Sequence, residues 1–526
     1  MTVDVWGTAA WGVSNWGTVD ATLPRVYLQA QFGGTSDAWV DITEDMQYPV
    51  KAQYGIRGNG LNDRVARTGV LQFGLRNGQN NSSGTVGYYS PGHASVREGF
   101  APGLPMRLTI TDGTAFKRFY GRIAPDGINA EPGLYGPRVT NVKVRDWMGQ
   151  ASQHIMDLPE LAVDKSIDEV LPLITAEMAI PPLSTDYATG VESFAYVFDT
   201  VGSRTPAMSE ISKAAISETG YVYAAKDGVY GETLKVDARY TRISRASAGT
   251  ITDTESNIKT KYGKNYTNKI QARSYPRRID AAATTVLWAL QRTLTLNAGE
   301  TRDDLIGNFT DPDGGGSRVS GTDMVTPLVT TDYLMNAQAD GGGADLSADL
   351  AVTASYGANG VRWTITNNNA AVGYVTKLQC RGKGIYLYDP VTSEDENTAG
   401  VALHGEYVLS IDQKYQDNPL SSRSMVTYFT TRLSTFRNDV QEVTFVPSES
   451  AALLTLFLSL DLGDRFTLSE TISGISAQDY FINGIDFTIY PGGIVTAKWI
   501  PELADPSRFW ILGTSRLGID TIPAWG

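Results

Sequence analysis

The sequence predicts a mainly β, multidomain protein with a small α+β part, and three observations carry that expectation. Glycine is frequent at 53 residues, and tyrosine, at 26, outnumbers phenylalanine, at 16. Together with threonine and valine, these residues favour short strands and tight turns over long helices. Apolar residues alternate with polar ones along several segments, which is the period of half-buried strands. The length of 526 residues implies about three to five domains at roughly 100–200 residues each.

Residues 1–24 form an arm rich in tryptophan and glycine. Trp6-Gly7, Trp11-Gly12 and Trp16-Gly17 recur at even spacing, and Pro24 ends the arm. Residues 25–150 read as a first β domain. In RVYLQAQF, Val26, Leu28, Ala30 and Phe32 alternate with polar neighbours, and in LPMRLTI so do Leu104, Met106, Leu108 and Ile110. Asp112-Gly113 follows as a hairpin turn, because glycine accepts positive φ. AFKRFYGRI is the return strand, and VTNVKVRDW repeats the pattern with Val142 and Val144.

Residues 151–244 read as an α+β domain. SIDEVLPLITAEM places Ile167, Val170, Leu171, Ile174 and Met178 on one helical face. Ser166 and Glu169 resemble a capping box. Pro172 argues for a start at Asp168, which moves the proline into the first turn. In the second helix Thr205 suits the N-cap, Pro206 the first helical position and Gly220 the exit. Two strands around Lys226-Asp227-Gly228 follow.

Residues 245–439 are strand-rich with long polar loops and an inserted segment. Asp340, Asp345 and Asp349 lie in one such loop, but the spacing departs from the EF-hand ligand ladder, and solvated turns explain it. Residues 440–526 form a closing β unit and C-terminal tail. FTIYPGGIVTAKW reads as a hairpin through Pro491-Gly492-Gly493, and the chain closes on Pro523-Ala524-Trp525-Gly526. No strict solenoid-type repeat occurs.

The formal charge is −13, from 44 basic and 57 acidic residues. A general nucleic-acid binder must neutralise phosphates, whereas this chain is suited only to bordering a nucleic-acid path without holding it. The single Cys380 excludes an internal disulfide, and its strand-like setting suggests a small buried residue. Histidine occurs only at 93, 154 and 404, so zinc sites of the His/Cys type are not expected. None of the three sits in a nucleophile elbow, and no phosphate-cradling glycine loop occurs. No catalytic residue, cofactor site or metal site is expected. The N-terminus lacks a signal-peptide pattern, and no apolar run approaches the length of a membrane span. Synthesis and assembly in cytosol-like conditions are therefore expected.

The terminal tryptophans allow two readings. Trp6, Trp11, Trp16 and Trp525 could fold back onto the β domain, since large aromatics prefer burial. Alternatively they could dock on a neighbouring subunit, where aromatics on a glycine-rich leash act as anchors.

Several segments, taken in order, resemble the minor tail proteins of long-tailed bacteriophages, in particular the tail-tip hub group. These are Asp41-Ile42-Thr43, TGVLQFGLRNGQNN, Tyr120-Gly121-Arg122-Ile123, VKVRDWM with Asp146 and Trp147, and SEISKAAISETGYVYAAKDG. Near the C-terminus come LDLGDRFTL, YFINGIDFTIYPGG, with Asp486 where the family often has histidine, and FWILGTSRLG. The likeness runs from about residue 26 to 519, and its weight lies in the order of short motifs. The Trp-Gly arm is a departure from it.

The resemblance implies tail-tube-like β-barrel or sandwich domains with an inserted β domain. It also implies a homotrimer in which two tube-like units per chain make a pseudo-sixfold ring. Such a hub sits at the tail tip of the virion and adapts the hexameric tube, or a distal tail ring, to a threefold tip. Its implied partners are tip or fibre proteins, the tape measure protein and genomic DNA in transit, with no stable membrane insertion. The expected role is structural and non-enzymatic, with a lumen that repels DNA. The alternatives are a receptor- or glycan-binding tip module, with residues 330–400 presenting the face, and a tip-borne cell-wall hydrolase acting through an Asp/Glu pair.

Overall fold

The computed structural model describes residues 23–34, 38–132, 138–200, 205–227 and 231–504. The fold is mainly β, as expected. Among these residues thirteen strands join in one sheet. Its principal strands, in chain order, are β1 (Arg25–Ala30), β2 (Met46–Gly55), β3 (Arg67–Arg76), β4 (Pro105–Thr111), β5 (Ala115–Glu131), β6 (Val139–Arg145), β7 (Ser247–Thr252), β8 (Ser256–Tyr262), β9 (Asn438–Phe445), β10 (Arg465–Glu470), β11 (Ile475–Ile489) and β12 (Val495–Leu503). The two-residue strand Val40–Asp41 pairs the end of β1. Alternation sets the buried face: Val26, Leu28 and Ala30 on β1, Met106, Leu108 and Ile110 on β4, and Val142 and Val144 on β6 are all buried.

One connectivity occurs twice in this sheet. In the first half β1 pairs β4, β4 pairs β5, β5 pairs β6, β6 pairs β3 and β3 pairs β2. Adding six to every label gives the pairs of the second half. The halves differ in sense at one place: β1 meets β4 antiparallel, while β7 meets β10 parallel. They join where β2 pairs β11, from Val50 opposite Ile489 to Gly55 opposite Gly484. Neither half closes on itself among the described residues. The hydrogen-bonded path runs open from β8 at one edge to Val40–Asp41 at the other, because β2, paired to β3 on one edge, gives its other edge to β11 of the neighbouring half.

The helices correct several sequence expectations. The strand expected to run through Trp147 ends at Arg145, and a helix Trp147–Gln153 follows. The next helix, Ile167–Ala176, starts one residue earlier than expected and keeps Pro172 inside. The Ser166 N–H donates to Glu169 Oε2 at 3.1 Å, and Ile167, Val170, Leu171 and Ile174 are all buried. Cap and apolar face together outweigh the one intrahelical bond that the proline removes. The third helix is Ala207–Glu218 with Pro206, not Thr205, at its N-cap, because Thr205–Pro206 pairs Ile155–Met156. Its left-handed exit falls on Thr219, at φ 57°. Gly220 serves a different need, since a β-carbon there would lie 2.8 Å from the Asp237 carbonyl oxygen.

Three helices lie in segments read as strand: Thr398–His404, Pro419–Leu433 and Ala451–Ser459. The second had a local signal, for Asn418 accepts from the Leu420 N–H at 3.0 Å and Pro419 opens the helix. The third, AALLTLFLS, is apolar nearly throughout, and periodicity cannot separate a buried helix from a buried strand in such a run.

Between β8 and β9 lies an inserted unit whose spine is the strand Gly373–Leu387. Five short strands pair along it. Leu287, Phe309, Trp363, Leu378 and Cys380 form a core separate from that of the main sheet.

Candidate functional site

The residues expected to dock on a neighbour, Trp6, Trp11, Trp16 and Trp525, lie outside the described residues, as does the segment FWILGTSRLG. The histidines are scattered. His93 is exposed and accepts from the Ser95 N–H, and exposed His404 meets the edges of Tyr266 and Phe436. His154 caps the end of the helix Trp147–Gln153. Asp340 and Asp345 hold the turns at Gly342 and Ser347, and Asp349 accepts from Asn369. No group of three or more His, Cys, Asp or Glu placed to hold a metal ion occurs among the described residues. Nor does a helix long and apolar enough to cross a membrane. Cys380 is buried, and burial pushes its thiol up to about 12.

What the structure does build with care is the seam between the two halves of the sheet. Its core-facing pairs, Val50–Ile489, Ala52–Phe487 and Tyr54–Ile485, are directly opposed and all buried. On the other face Asp486 of β11 is held by Arg57, just beyond β2, and by Lys498 of β12 at 2.9 Å.

Buried polar groups tie the halves together beneath this seam. Arg118 of β5 donates through Nη2 to the Tyr54 hydroxyl at 3.0 Å. Through Nη1 it donates to the Leu460 carbonyl at 3.0 Å. Nη1 also reaches the Leu458 carbonyl at 3.4 Å, in the last turn of the helix Ala451–Ser459, so the guanidinium meets the negative end of a helix dipole. Lys226 Nζ reaches Asp146 Oδ2 at 2.9 Å with both side chains almost fully buried. Beside them Glu232, 2% exposed, accepts from the Trp147 N–H at 3.0 Å. Burial and the Asp146 charge raise its carboxyl to about 7, against the pull of Lys226.

The α+β unit is anchored in the same way. Arg242 donates to Asp237 and to Asn483 of β11, each at 2.8 Å, and Arg245 donates to the Gly463 carbonyl at 2.7 Å. Burial alone would raise the Asp237 carboxyl, but Arg242 and Arg245 hold it below its ordinary value. Arg277 and Asp199, paired at 2.8 Å and buried, fix the inserted unit. A cavity of about 470 Å³ lies where these units meet β9, β11 and β12. Arg64, Arg242 and Arg437 line it with Asp439 and Glu502. Its guanidinium groups are engaged in holding the walls: Arg437 bonds Asp439, and Arg64 and Arg242 stack on Tyr221.

Several stretches of sheet edge stand open among the described residues. Two of them are β8, which pairs only β9 there, and the distal part of β5, Ile128–Glu131, which pairs only β6 there. Unpaired edges of this kind are templates for another strand. Alternating strands were legible in the sequence. The repeat of their order was not, because a strand order is fixed by pairing between distant segments and leaves no residue-level period.

No protein-family model and no curated protein sequence matches the chain. In solved structures its fold resembles phage tail proteins. A 43 kDa tail protein of prophage MuSo2 from Shewanella oneidensis aligns over 91% of this chain and 98% of its own, at 10% identity and a TM-score of 0.44. A tail protein from Neisseria meningitidis aligns over 91% and 96%, at 9% identity and a TM-score of 0.43. An E. coli component of the type VI secretion system, described as similar in structure to the T4 tail proteins gp27 and gp5, aligns over 64% and 73%, at 9% identity and a TM-score of 0.27.

Proposed function

We propose that this chain is a structural phage tail protein, a trimeric hub at the tail tip. In that role it connects a hexameric tail tube to a threefold tip and forms part of the DNA conduit. The observation that carries this reading is the doubled connectivity. One chain holds two units of the same strand order joined edge to edge, so three chains present six comparable units around one axis. The units are not identical. They differ in the sense of the β1–β4 and β7–β10 pairs, and only the second carries an insertion between its second and third strands. A ring of three such chains is sixfold where the units match and threefold where they differ, which is the symmetry change such an adaptor must make.

In this role the chain makes and breaks no bonds. It binds a tube or distal ring on one face and tip, fibre or tape measure proteins on the other. The net charge of −13 suits a bore that DNA crosses without adhering. The tryptophan arm, with Trp6, Trp11 and Trp16, and Trp525 of the C-terminal tail are proposed as docking anchors on a neighbouring subunit.

Native mass measurement and imaging of labelled particles test the reading together. Three copies on the tail axis at the tip are expected. Scattered copies along the tail, or absence from purified particles, would refute it.

A further inference from the structure

We propose that the open edges of β8 and distal β5 are the two sides of a joint between copies of this chain. In it β8 of one copy lies antiparallel on Ile128–Glu131 of the next, as β2 lies on β11 within a single copy. The ring-forming reading above supplies only the number of copies. The joint itself rests on strand pairing.

β11 is long and uses one edge twice. Its early residues pair β10, its late residues Gly484–Ile489 pair β2, and β12 occupies the opposite edge. β5 is the equivalent strand. Its early residues, through Arg122, pair β4, and β6 occupies the opposite edge from Arg122 to Glu131. The place that β2 takes on β11 has no strand on β5 among the described residues. The equivalent of β2 is β8, and β8 lacks a partner on its second edge among the described residues. These two open edges are thus the counterparts of the two that meet at the seam.

The register follows from the repeat. Lys143 of β6 lies 3.9 Å from Asp126, beside a break in register, where Lys498 of β12 holds the directly opposed Asp486 at 2.9 Å. With those lysines equated, Asn257 takes the place of Lys51 and Asn129 that of Thr488. Ser256 then faces Ala130, Asn257 faces Asn129, and Ile258 faces Ile128. Ile258 and Ile128 are each half-buried in the single chain, and the joint covers both. Just past this run, β8 and its exit carry Lys259, Lys261 and Lys264, none with a carboxylate partner among the described residues. Opposite them stands Asp126, whose side chain is 63% exposed and is held within its own copy by Arg145 at 2.8 Å, with its second oxygen 3.9 Å from Lys143. Edge lysines commonly guard against unwanted pairing; here they also select an acidic edge over a neutral one. Each copy bears one edge of each kind, so the contact is head-to-tail and propagates to a ring.

Cysteine pairing in the full-length chain tests the joint. With both Asn129→Cys and Asn257→Cys in one chain, mild oxidation of the oligomer is expected to link different copies in a ladder. Either single variant alone is expected to give no link, and an oxidised mixture of the two singles only linked dimers. Buried Cys380 leaves the readout clean. Separately, Lys259→Glu with Lys261→Glu is expected to weaken self-association at least tenfold at low salt, and Asp126→Lys to restore it. An oligomer whose paired cysteines stay reduced, or whose association ignores the charge reversal, overturns the joint and leaves the ring reading in place. A chain that never self-associates, alone or in tails, overturns both.

Discussion

Gly55 and Gly484 face each other across the seam between the two halves of the sheet, and neither has room for a side chain. A β-carbon on Gly55 would lie 2.9 Å from the Gly484 Cα, and one on Gly484 would lie 2.8 Å from the Ile56 carbonyl oxygen. Gly55 also holds a φ of 98°, which costs any other residue strain. The two halves approach here backbone to backbone, and the closeness is what lets β2 serve both halves of the sheet.

Gly55→Ala should therefore destabilise the chain by roughly 2–4 kcal/mol, through overpacking and a forced left-handed backbone. Urea unfolding measures it. A change below about 0.5 kcal/mol, the range of a neutral surface substitution, would mean that the seam yields easily.

Lys226 and Asp146 form a buried ion pair, and removing one partner strands the other. Lys226→Met should cost about 3–5 kcal/mol. Adding Asp146→Asn should recover a good part of that, because the asparagine oxygen can still accept from the Gly69 N–H that Asp146 now holds. Failure of the second change to recover stability would locate the cost in lost packing rather than in an unpaired charge.

Glu232 should make stability fall as pH rises through the acid-to-neutral range. Its folded-state value, about 7, lies above the ordinary 4.5. The folded chain thus keeps a proton that the unfolded chain releases near 4.5. Its contribution is complete below about pH 4.5 and is lost by about pH 7, a fall of roughly 3 kcal/mol at most. Glu232→Gln keeps an acceptor for the Trp147 N–H and should flatten that slope. Thermal melts of both proteins between pH 4.5 and 7.5 compare them, and parallel curves would contradict the assignment.

Deleting residues 1–20 should leave the melting temperature of the described domains unchanged while impairing incorporation into tails. Complementation of an arm-deleted phage measures this, and normal tail assembly would remove the arm from the docking role.

Local signals carried much of the element list. The alternation of Val26, Leu28 and Ala30, the Asp112-Gly113 turn and the hairpin at Pro491–Gly493 appear where expected. The apolar face from Ile167 to Met178 is buried as the helical period requires. Where expectation failed, a tertiary partner had taken the residue. Asp146 accepts from Lys226 and Gly69, and the strand stops before it. Pro206 pairs with Ile155, and the helix begins one residue later. The candidate site was hidden for the same reason: the lysines after Ser256 suit an open edge as well as any solvated strand, and nothing in the local text near Ile128 marks one.

By itself, then, the sequence determined the class of elements, the face each strand buries, the acidic surface charge and the isolation of Cys380, because these depend on side-chain chemistry and short-range period. Only the tertiary structure decided that β2 would give its second edge to β11, that two distant segments would share one strand order, and which edges would stay unpaired. Those outcomes depend on hydrogen bonds between residues hundreds of positions apart, and the backbone groups that make them are the same in every amino acid.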